Sequence, residues 1–313
     1  MINTNSHSVK PQYQQAISKV LNYINQNLAG DVSLDTLARI ANYSPFHFQK
    51  IFSDSILETP KQYVIRLRLE RAAHFMLLFP NLAIQEIAVG CGFSSHSIFS
   101  RAFKNYFTIS AETYKGLTQE ELYNINKRKT QFIHLQESSW ITPITNIQEK
   151  INTLKIASTP NVKTIYPFKI AAIQTTLSHR ENIPFAFKSL LQWAIPQNLI
   201  SESTKYFGIW LDFPFITPYD KCRYLCGIGL GNDIKASKGI DVINFKKGQY
   251  INYEMTGDIN ETLESLITLN HSVIDSLGYS ILEMICYEQF EDNPAEQPYE
   301  KIVRNLMIPV KIK

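Results

Sequence analysis

Cysteine is scarce in this chain of 313 residues. Only Cys91, Cys222, Cys226 and Cys286 occur, and no two of them form a CxxC pair. That spacing offers neither a zinc ribbon nor a disulfide framework, so reduced and partly buried thiols are expected. Long apolar runs are also missing: charge or proline interrupts each within about eight residues, whereas a membrane helix needs ~20. The opening MINTNSHSVKPQYQQ has no apolar segment and no small-residue cleavage site. No signal peptide, no membrane association and a cytoplasmic location are therefore expected. No glycine-rich phosphate loop, zinc signature or Ser/His/Asp order stands out. Neither a cofactor nor a metal nor enzymatic activity is expected.

What is there is globular. Apolar residues make up 44% and charged residues 19%, which suffices for two separate cores in a chain of this length. The net charge of +3 conceals an asymmetry. Residues 10–116 hold 11 Lys/Arg against 7 Asp/Glu, and residues 117–313 hold 20 against 21. The excess positive charge lies in the front third, where a polyanion is the fitting partner.

From Tyr13 to Lys115 apolar residues recur at three- and four-residue steps, the spacing of amphipathic helices. Ala16, Ile17, Val20, Leu21, Ile24 and Leu28 define one helix, closed by Gly30 and Asp31. Ser33 caps a short LDTLARIA helix, Asn42-Tyr43 form a tight link, and Ser44-Pro45 open FHFQKIFSDSI. Serine before proline starts a helix, because proline lacks only an amide that would be unpaired there. Two short helices across such a turn make a helix-turn-helix. Thr59-Pro60-Lys61-Gln62 combines a capping box with proline at the first helical position. The helix it opens runs to about Phe79, roughly 30 Å. Its exposed face is expected to carry Arg66, Arg68 and Arg71, and its buried face Tyr63, Leu67, Ala73 and Leu77.

The pattern then repeats. LAIQEIAVGCGF is a short helix ending in glycine, and SSHSIFSRAFKNYF a second one capped by Ser94 or Ser95. LDTLARIANYSPFHFQKIF aligns with LAIQEIAVGCGFSSHSIFSRAF, an internal repeat that is the most informative feature of the chain. A helix presented beyond a tight turn fits the major groove. Two of them held about 34 Å apart reach consecutive grooves. The first would expose Phe46, His47, Gln49 and Lys50, and the second His96, Ser97, Ser100 and Arg101. Gln49 suits adenine, Lys50 guanine or phosphate, and Phe46 a thymine methyl. Arg101, as a bidentate donor to guanine, is the leading base reader. Lys104, Arg66, Arg68 and Arg71 are expected at phosphates, fixing register. Ile51, Phe52, Phe99, Phe103 and Phe107 belong to the core.

Residues 14–116 resemble the AraC/XylS family of bacterial transcription activators. The resemblance rests on SLDTLARIANYSPFHFQKIF, TPKQYVIRLRLERAAHFML and IQEIAVGCGFSSHSIFSRAFKNYF. It implies base contacts from Phe46, Gln49, Lys50, His96, Ser97 and Arg101. The family's proline followed by Tyr-Arg is replaced by Ile109-Ser110-Ala111-Glu112-Thr113-Tyr114-Lys115, so a phosphate contact at Lys115 is less secure.

Residues 117–160 turn polar, with a basic Lys127–Lys129 run and TPITN and STPN punctuation, and read as a linker. Beyond it, strand–helix–strand–strand occurs twice, an α+β pattern with an antiparallel sheet and helices on one face. Residues 162–313 resemble the GyrI-like effector-binding fold through YFGIWLDFPFITPYDKCRYLCGIGL, GQYINYEMTG, CYEQFEDNP and NLMIPVKI. That resemblance implies two pseudo-symmetric halves meeting at an aromatic groove with one acidic residue. Trp210, Phe213, Tyr224, Tyr253, Tyr287 and Phe290 are the candidate aromatics, and Glu288, in the family's Glu-x-Tyr position, the candidate carboxylate. An aromatic cleft with one carboxylate suits an organic cation. Phe290 in place of the motif's tyrosine removes a hydroxyl partner.

The expected architecture is thus multidomain. An all-α AraC-type DNA-binding domain of two helix-turn-helix units spans 10–116, a linker 117–160, and an α+β GyrI-like effector-binding domain 161–313. The expected function is a sequence-specific regulator, read as an activator, responding to a small cationic or amphiphilic ligand. Its partners would be promoter double-stranded DNA, RNA polymerase and that effector, with the chain a monomer or weak homodimer. Two alternatives stay open: a small-molecule hydrolase using Glu254, Glu288 and Tyr253, and a constitutive DNA-binding regulator with a vestigial pocket.

Overall fold

Short capping signals set the helices of the first part of the chain. The computed structural model describes residues 12–79, 81–117, 121, 159–213, 216–230, 239–269, 273–283 and 285–313. The expected linker, with Lys127–Lys129 and TPITN, lies almost wholly outside the described residues. The described residues up to Leu117 form one compact unit, and nearly all those from 159 onward form another.

In the first unit, α1 (Gln14–Asn27) packs Ile17, Val20, Leu21 and Ile24 inward. Ser33 accepts from the Thr36 amide to start α2 (Leu34–Ala41). Asn42, in the left-handed region at φ 59°, turns the chain toward α3, a conformation asparagine tolerates better than most residues. Ser44 caps α3 (Pro45–Ile56), with Pro45 in its first turn. Thr59 and Gln62 close a reciprocal capping box on α4 (Pro60–Leu78). The second repeat follows as α5 (Ile84–Gly90) and α6 (His96–Phe107), then a short α7 (Ala111–Lys115). Ser95 is the α6 cap. At α5 no serine or threonine is present, and Glu86 instead reaches back to the Ala83 amide.

Each repeat owns a core. The first gathers Leu37, Ala38, Phe48, Ile51, Phe52, Tyr63 and Leu67 with the apolar face of α1. The second is an aromatic ladder, in which Phe99, Phe103, Phe107 and Tyr114 sit with successive ring centroids 5.3, 4.5 and 4.8 Å apart. All four are fully buried.

The second unit is a nine-stranded antiparallel sheet. Its strands are β1 (Asn161–Ile165), β2 (Phe168–Thr176), β3 (Tyr206–Trp210), β4 (Arg223–Leu230), β5 (Asp241–Phe245), β6 (Gly248–Met255), β7 (Tyr279–Ile281), β8 (Cys286–Phe290) and β9 (Arg304–Ile312). The order across the sheet is β1-β6-β9-β8-β3-β4-β2-β5, with β7 added on β9. This order is nearly palindromic: β3, β4, β2 on one side answer β8, β9, β6 on the other. Each half contributes its first short strand to the other half's edge. Helices α8 (Asn182–Ala194) and α9 (Ile259–Thr268) repeat the symmetry.

The two faces differ. Successive strand residues point to opposite sides, so Gly208, Trp210, Tyr224, Cys286, Glu288, Phe290 and Arg304 share one face by register. That face meets the helices, since Phe187 of α8 packs edge-on against Phe290 and Thr262 of α9 bonds Arg304. The other face carries Ile170, Phe207, Ile209, Leu225, Phe245, Tyr250 and Met307 as a second apolar cluster.

Candidate DNA interface and candidate ligand site

Helix α3 buries Phe48, Ile51 and Phe52 and leaves the opposite side to solvent. Phe46 is 85% exposed, and His47, Gln49 and Lys50 are exposed beside it. An apolar ring this exposed has no packing role, so it is available to a partner. Tyr13 and Tyr43 hold His47 between edge-on rings at 6.2 and 5.0 Å. On α6, Phe99, Phe103 and Phe107 face inward, while His96, Ser97, Arg101 and Lys104 are exposed. Ser100 is half-buried, its hydroxyl 3.4 Å from His96 Nε2. Every predicted recognition-helix residue thus lies on the side away from the core of its own repeat.

Two predicted phosphate contacts do not. Arg66 is only 5% exposed. Its guanidinium donates to both Glu58 oxygens, at 2.7 Å for the closest, and to Glu70 Oε2 at 3.1 Å, and it lies 5.0 Å from the Tyr63 ring. It cannot stand on the exposed face as expected. Helical arithmetic explains this: Tyr63, Arg66, Leu67 and Glu70 follow three- and four-residue steps and share one face. Two carboxylates offset the desolvation of the buried guanidinium. Arg68 is half-buried and donates to the carbonyls of Leu28 and Gly30 at 2.8 and 3.0 Å. It closes the end of α1, where helical carbonyls lack partners. Arg71 is exposed as expected, 5.7 Å from the Phe75 ring. Lys115 donates to the Leu82 carbonyl at 2.7 Å, so the α7 lysine holds the entry to α5.

In the second unit the central strand pair β3–β8 places Gly208 opposite Glu288. Glu288 is fully buried. Trp210 Nε1 donates to Oε2 at 2.8 Å, and the Tyr224 hydroxyl donates to the same oxygen. The Tyr299 hydroxyl donates to Oε1 at 2.6 Å, and Arg304 Nε lies 3.0 Å from Oε1 as an ion pair. Arg304 is itself fully buried, with its guanidinium 4.2 Å from the Tyr299 ring centroid. Burial first, and then the Glu288 charge, push both the Tyr224 and the Tyr299 hydroxyls well above the usual tyrosine range. Both remain donors. Gly208 makes the cluster possible: a Cβ there would stand 1.7 Å from the Tyr224 hydroxyl and 2.9 Å from Glu288 Oε2.

The structure gathers some of the predicted ligand residues and separates others. Trp210, Tyr224 and Glu288 meet directly, and Phe213 stacks on Trp210 at 6.2 Å. Phe290 and Tyr253 lie on the same face, buried at 2% and 3%. Tyr287 lies on the opposite face, against Phe245 at 4.3 Å, because neighbours along a strand cannot share a side. In place of the expected open aromatic groove, Trp210, Phe213, Tyr224, Tyr253 and Phe290 are buried on the face that holds the ion-paired carboxylate. The hydroxyl missing at Phe290 is supplied from elsewhere by Tyr224 and Tyr299. Tyr299 and Arg304 were not among the predicted residues. The Tyr299-x4-Arg304 spacing carries no periodic signal, because a 3-10 turn at Tyr299–Lys301 separates them. Glu254 is exposed on the face opposite Tyr253 and Glu288, so the three groups of the hydrolase alternative are not brought together. A small depression lined by Phe213, Leu266, Ile281, Glu283, Cys286 and others opens next to the Trp210–Cys286 pair. Among the described residues no His/Cys/Asp/Glu cluster could hold a metal, and no helix is long and apolar enough to cross a membrane.

Comparison with known proteins places both units. Residues 37–116 match a helix-turn-helix domain family, and residues 158–311 match the family described as a GyrI-like small molecule binding domain. The HTH-type transcriptional activator AarP of Providencia stuartii is 33% identical over 105 residues, covering 33% of this chain and 77% of that protein. The probable transcription factor PqrA of Proteus vulgaris is 31% identical over 104 residues, covering 33% and 84%. The uncharacterized HTH-type transcriptional regulator YbfP of Bacillus subtilis (strain 168) is 25% identical over 129 residues, covering 41% and 42%. The chain spans about two fifths of the length of the first curated relatives it matches.

Proposed function

The chain belongs to the AraC-type helix-turn-helix transcriptional regulators and carries a GyrI-like domain, and from that premise we propose that it binds promoter DNA through α3 and α6 and acts as an activator answering to a small molecule. The observation that supports this most is the repeated exposure on the two recognition helices. Phe46, Gln49 and Lys50 on α3 and His96, Ser97 and Arg101 on α6 all face away from their cores. Arg101 reads guanine bidentately, Gln49 reads adenine, and Phe46 meets a thymine methyl. Ser100 takes a supporting place beside His96. Lys50 and Lys104 contact phosphates or base edges nearby, and Arg71 takes the phosphate role expected of Arg66 and Arg68. The domain boundaries we propose are 10–116 for DNA binding, 117–160 for the linker and 161–313 for the effector. RNA polymerase is the further partner, the cytoplasm the place of action, and a monomer or weak homodimer the working form.

The C-terminal domain acts in this reading as a binder rather than a hydrolase. Glu288 is buried, accepts three hydrogen bonds and is ion-paired with Arg304, which leaves it unfit as a general base. The proposal is tested by fluorescence anisotropy of promoter DNA at several salt concentrations, comparing wild type with Arg101→Ala. Tight, salt-sensitive binding that the variant weakens by about 1–3 kcal/mol at one base position is expected. Weak, unselective binding indifferent to the change would overturn it.

A further inference from the structure

We propose that Arg304 is the resident cation of the C-terminal domain's carboxylate site and thereby the residue that decides its ligand class, closing Glu288 to organic cations. This deepens the ligand half of the function proposed above and rests on it. A carboxylate offers about four lone-pair sites. Three of them accept hydrogen bonds, from Trp210 and Tyr224 on Oε2 and from Tyr299 on Oε1, and the Arg304 guanidinium stands 3.0 Å from Oε1 as the ion-pair partner. The charge of the carboxylate is therefore already matched by a cation of the chain itself.

The guanidinium is held as firmly as the carboxylate. Nη1 donates to the carbonyls of Tyr299 and Ile302 at 3.2 and 3.1 Å. Nη2 donates to the Gly257 carbonyl at 2.8 Å and the Thr262 hydroxyl at 2.6 Å. The Tyr299 ring supplies a π face at 4.2 Å. These are the contacts that recognise an organic cation: one carboxylate, an aromatic face and a ring of oxygens. Here the chain itself fills them.

Displacing Arg304 is disfavoured. Its backbone lies within β9, paired with Met255 of β6 on one side and Phe290 of β8 on the other. The side chain therefore stays on the helix-covered face. A guanidinium does not deprotonate inside a protein. An incoming cation would bring two positive charges to one carboxylate and leave one of them unpaired in an apolar interior. Without Arg304 the same contacts become a vacant cation site.

The test is thermal unfolding of the full chain in ethylguanidinium chloride or tetraethylammonium chloride, against sodium chloride of equal ionic strength. Wild type is expected to show no shift relative to sodium chloride. Arg304→Ala is expected to melt lower in sodium chloride and to regain stability saturably with ethylguanidinium, and adding Glu288→Gln is expected to abolish that rescue. If Arg304→Ala does not fold in sodium chloride, its folding in ethylguanidinium is the same result, and Arg304→Met provides a second variant that keeps the side-chain stem. A saturable rise in the wild-type melting temperature that Glu288→Gln removes would overturn the proposal. So would folded Arg304→Ala and Arg304→Met that both ignore ethylguanidinium. DNA anisotropy in the same buffers reports the regulator function separately, so failure of one reading is not mistaken for failure of the other.

Discussion

Tyr106 donates its hydroxyl to Glu70 at 2.6 Å, joining the second recognition helix to the helix that links the two repeats. Glu70 in turn holds Arg66, and Arg66 holds Glu58 just beyond the first recognition helix. A continuous polar chain therefore runs from the turn after α3 through α4 to α6. Burial and the neighbouring Glu70 charge push the Tyr106 hydroxyl far above the tyrosine range, and at Arg66 burial pulls the guanidinium down but Glu70 and Glu58 outweigh it and hold it above its ordinary value.

Arg66→Ala should therefore act on stability rather than on phosphate binding. Removing one partner of a buried pair costs about 3–5 kcal/mol. Tyr106→Phe, which removes one hydrogen bond to a charged group, should cost about 1.5–3 kcal/mol. Urea unfolding reads both. Salt titration of DNA binding by folded Arg66→Ala should keep the wild-type slope. A shallower slope would return Arg66 to the phosphate contacts.

The exposed residues of the recognition helices should behave the opposite way. Phe46→Ala should leave stability within about 0.5 kcal/mol, since the ring is 85% exposed, while relaxing the preference for thymine at one position. Lys104→Ala should weaken binding evenly across sequences and reduce the salt slope by about 1. Unfolding curves and competition binding with single-base operator variants separate these effects.

Gly208→Ala should disrupt the centre of the sheet. The added methyl would overlap the Tyr224 hydroxyl at 1.7 Å, and both the tyrosine and Glu288 are tied by further bonds. A loss of about 3 kcal/mol or more is expected, read by chemical denaturation of the C-terminal transition. Alanine accommodated without loss would mean that the Tyr224–Glu288 bond is dispensable.

Asp31 gives the first unit a specific acid sensitivity. The Thr36 hydroxyl, donating at 2.6 Å, and then the Ser33 amide hold its carboxyl at about 2 against an ordinary 3.8. A depressed carboxylate adds stability above the unfolded-state value, and that stability fades as pH falls through the folded one. The contribution should thus disappear between about pH 4 and pH 2, and Asp31→Asn should flatten that part of the stability profile. Circular dichroism melts across this range check it, and an unchanged profile in the variant would count against the Thr36 bond.

Much of the first unit was legible in the sequence, and for a local reason. Ser33, Ser44, Thr59 and the α6 serine announce helices within three or four residues of where they begin. The aromatic and leucine spacing marks which faces turn inward. Arg66 departs from what a basic side chain suggests by type alone, because its helical phase puts it beside Tyr63 and Glu70. In the second unit, Glu288, Trp210 and Tyr224 were found as residue types. The two residues that complete the cluster, Tyr299 and Arg304, reach it from a turn and a strand that no periodicity connects.

The helices, their caps, the repeated helix-turn-helix and the two-fold strand pattern follow from the order of amino acids alone, because each rests on chemistry between residues a few positions apart. Which charges are internal depends instead on long-range pairing. Strand register sets Gly208 against Glu288, alternation sends Tyr287 to the other side, and the return of β9 beside β8 brings Arg304 to the carboxylate. Burial then makes that pairing obligatory, since neither charge can remain alone where water does not reach.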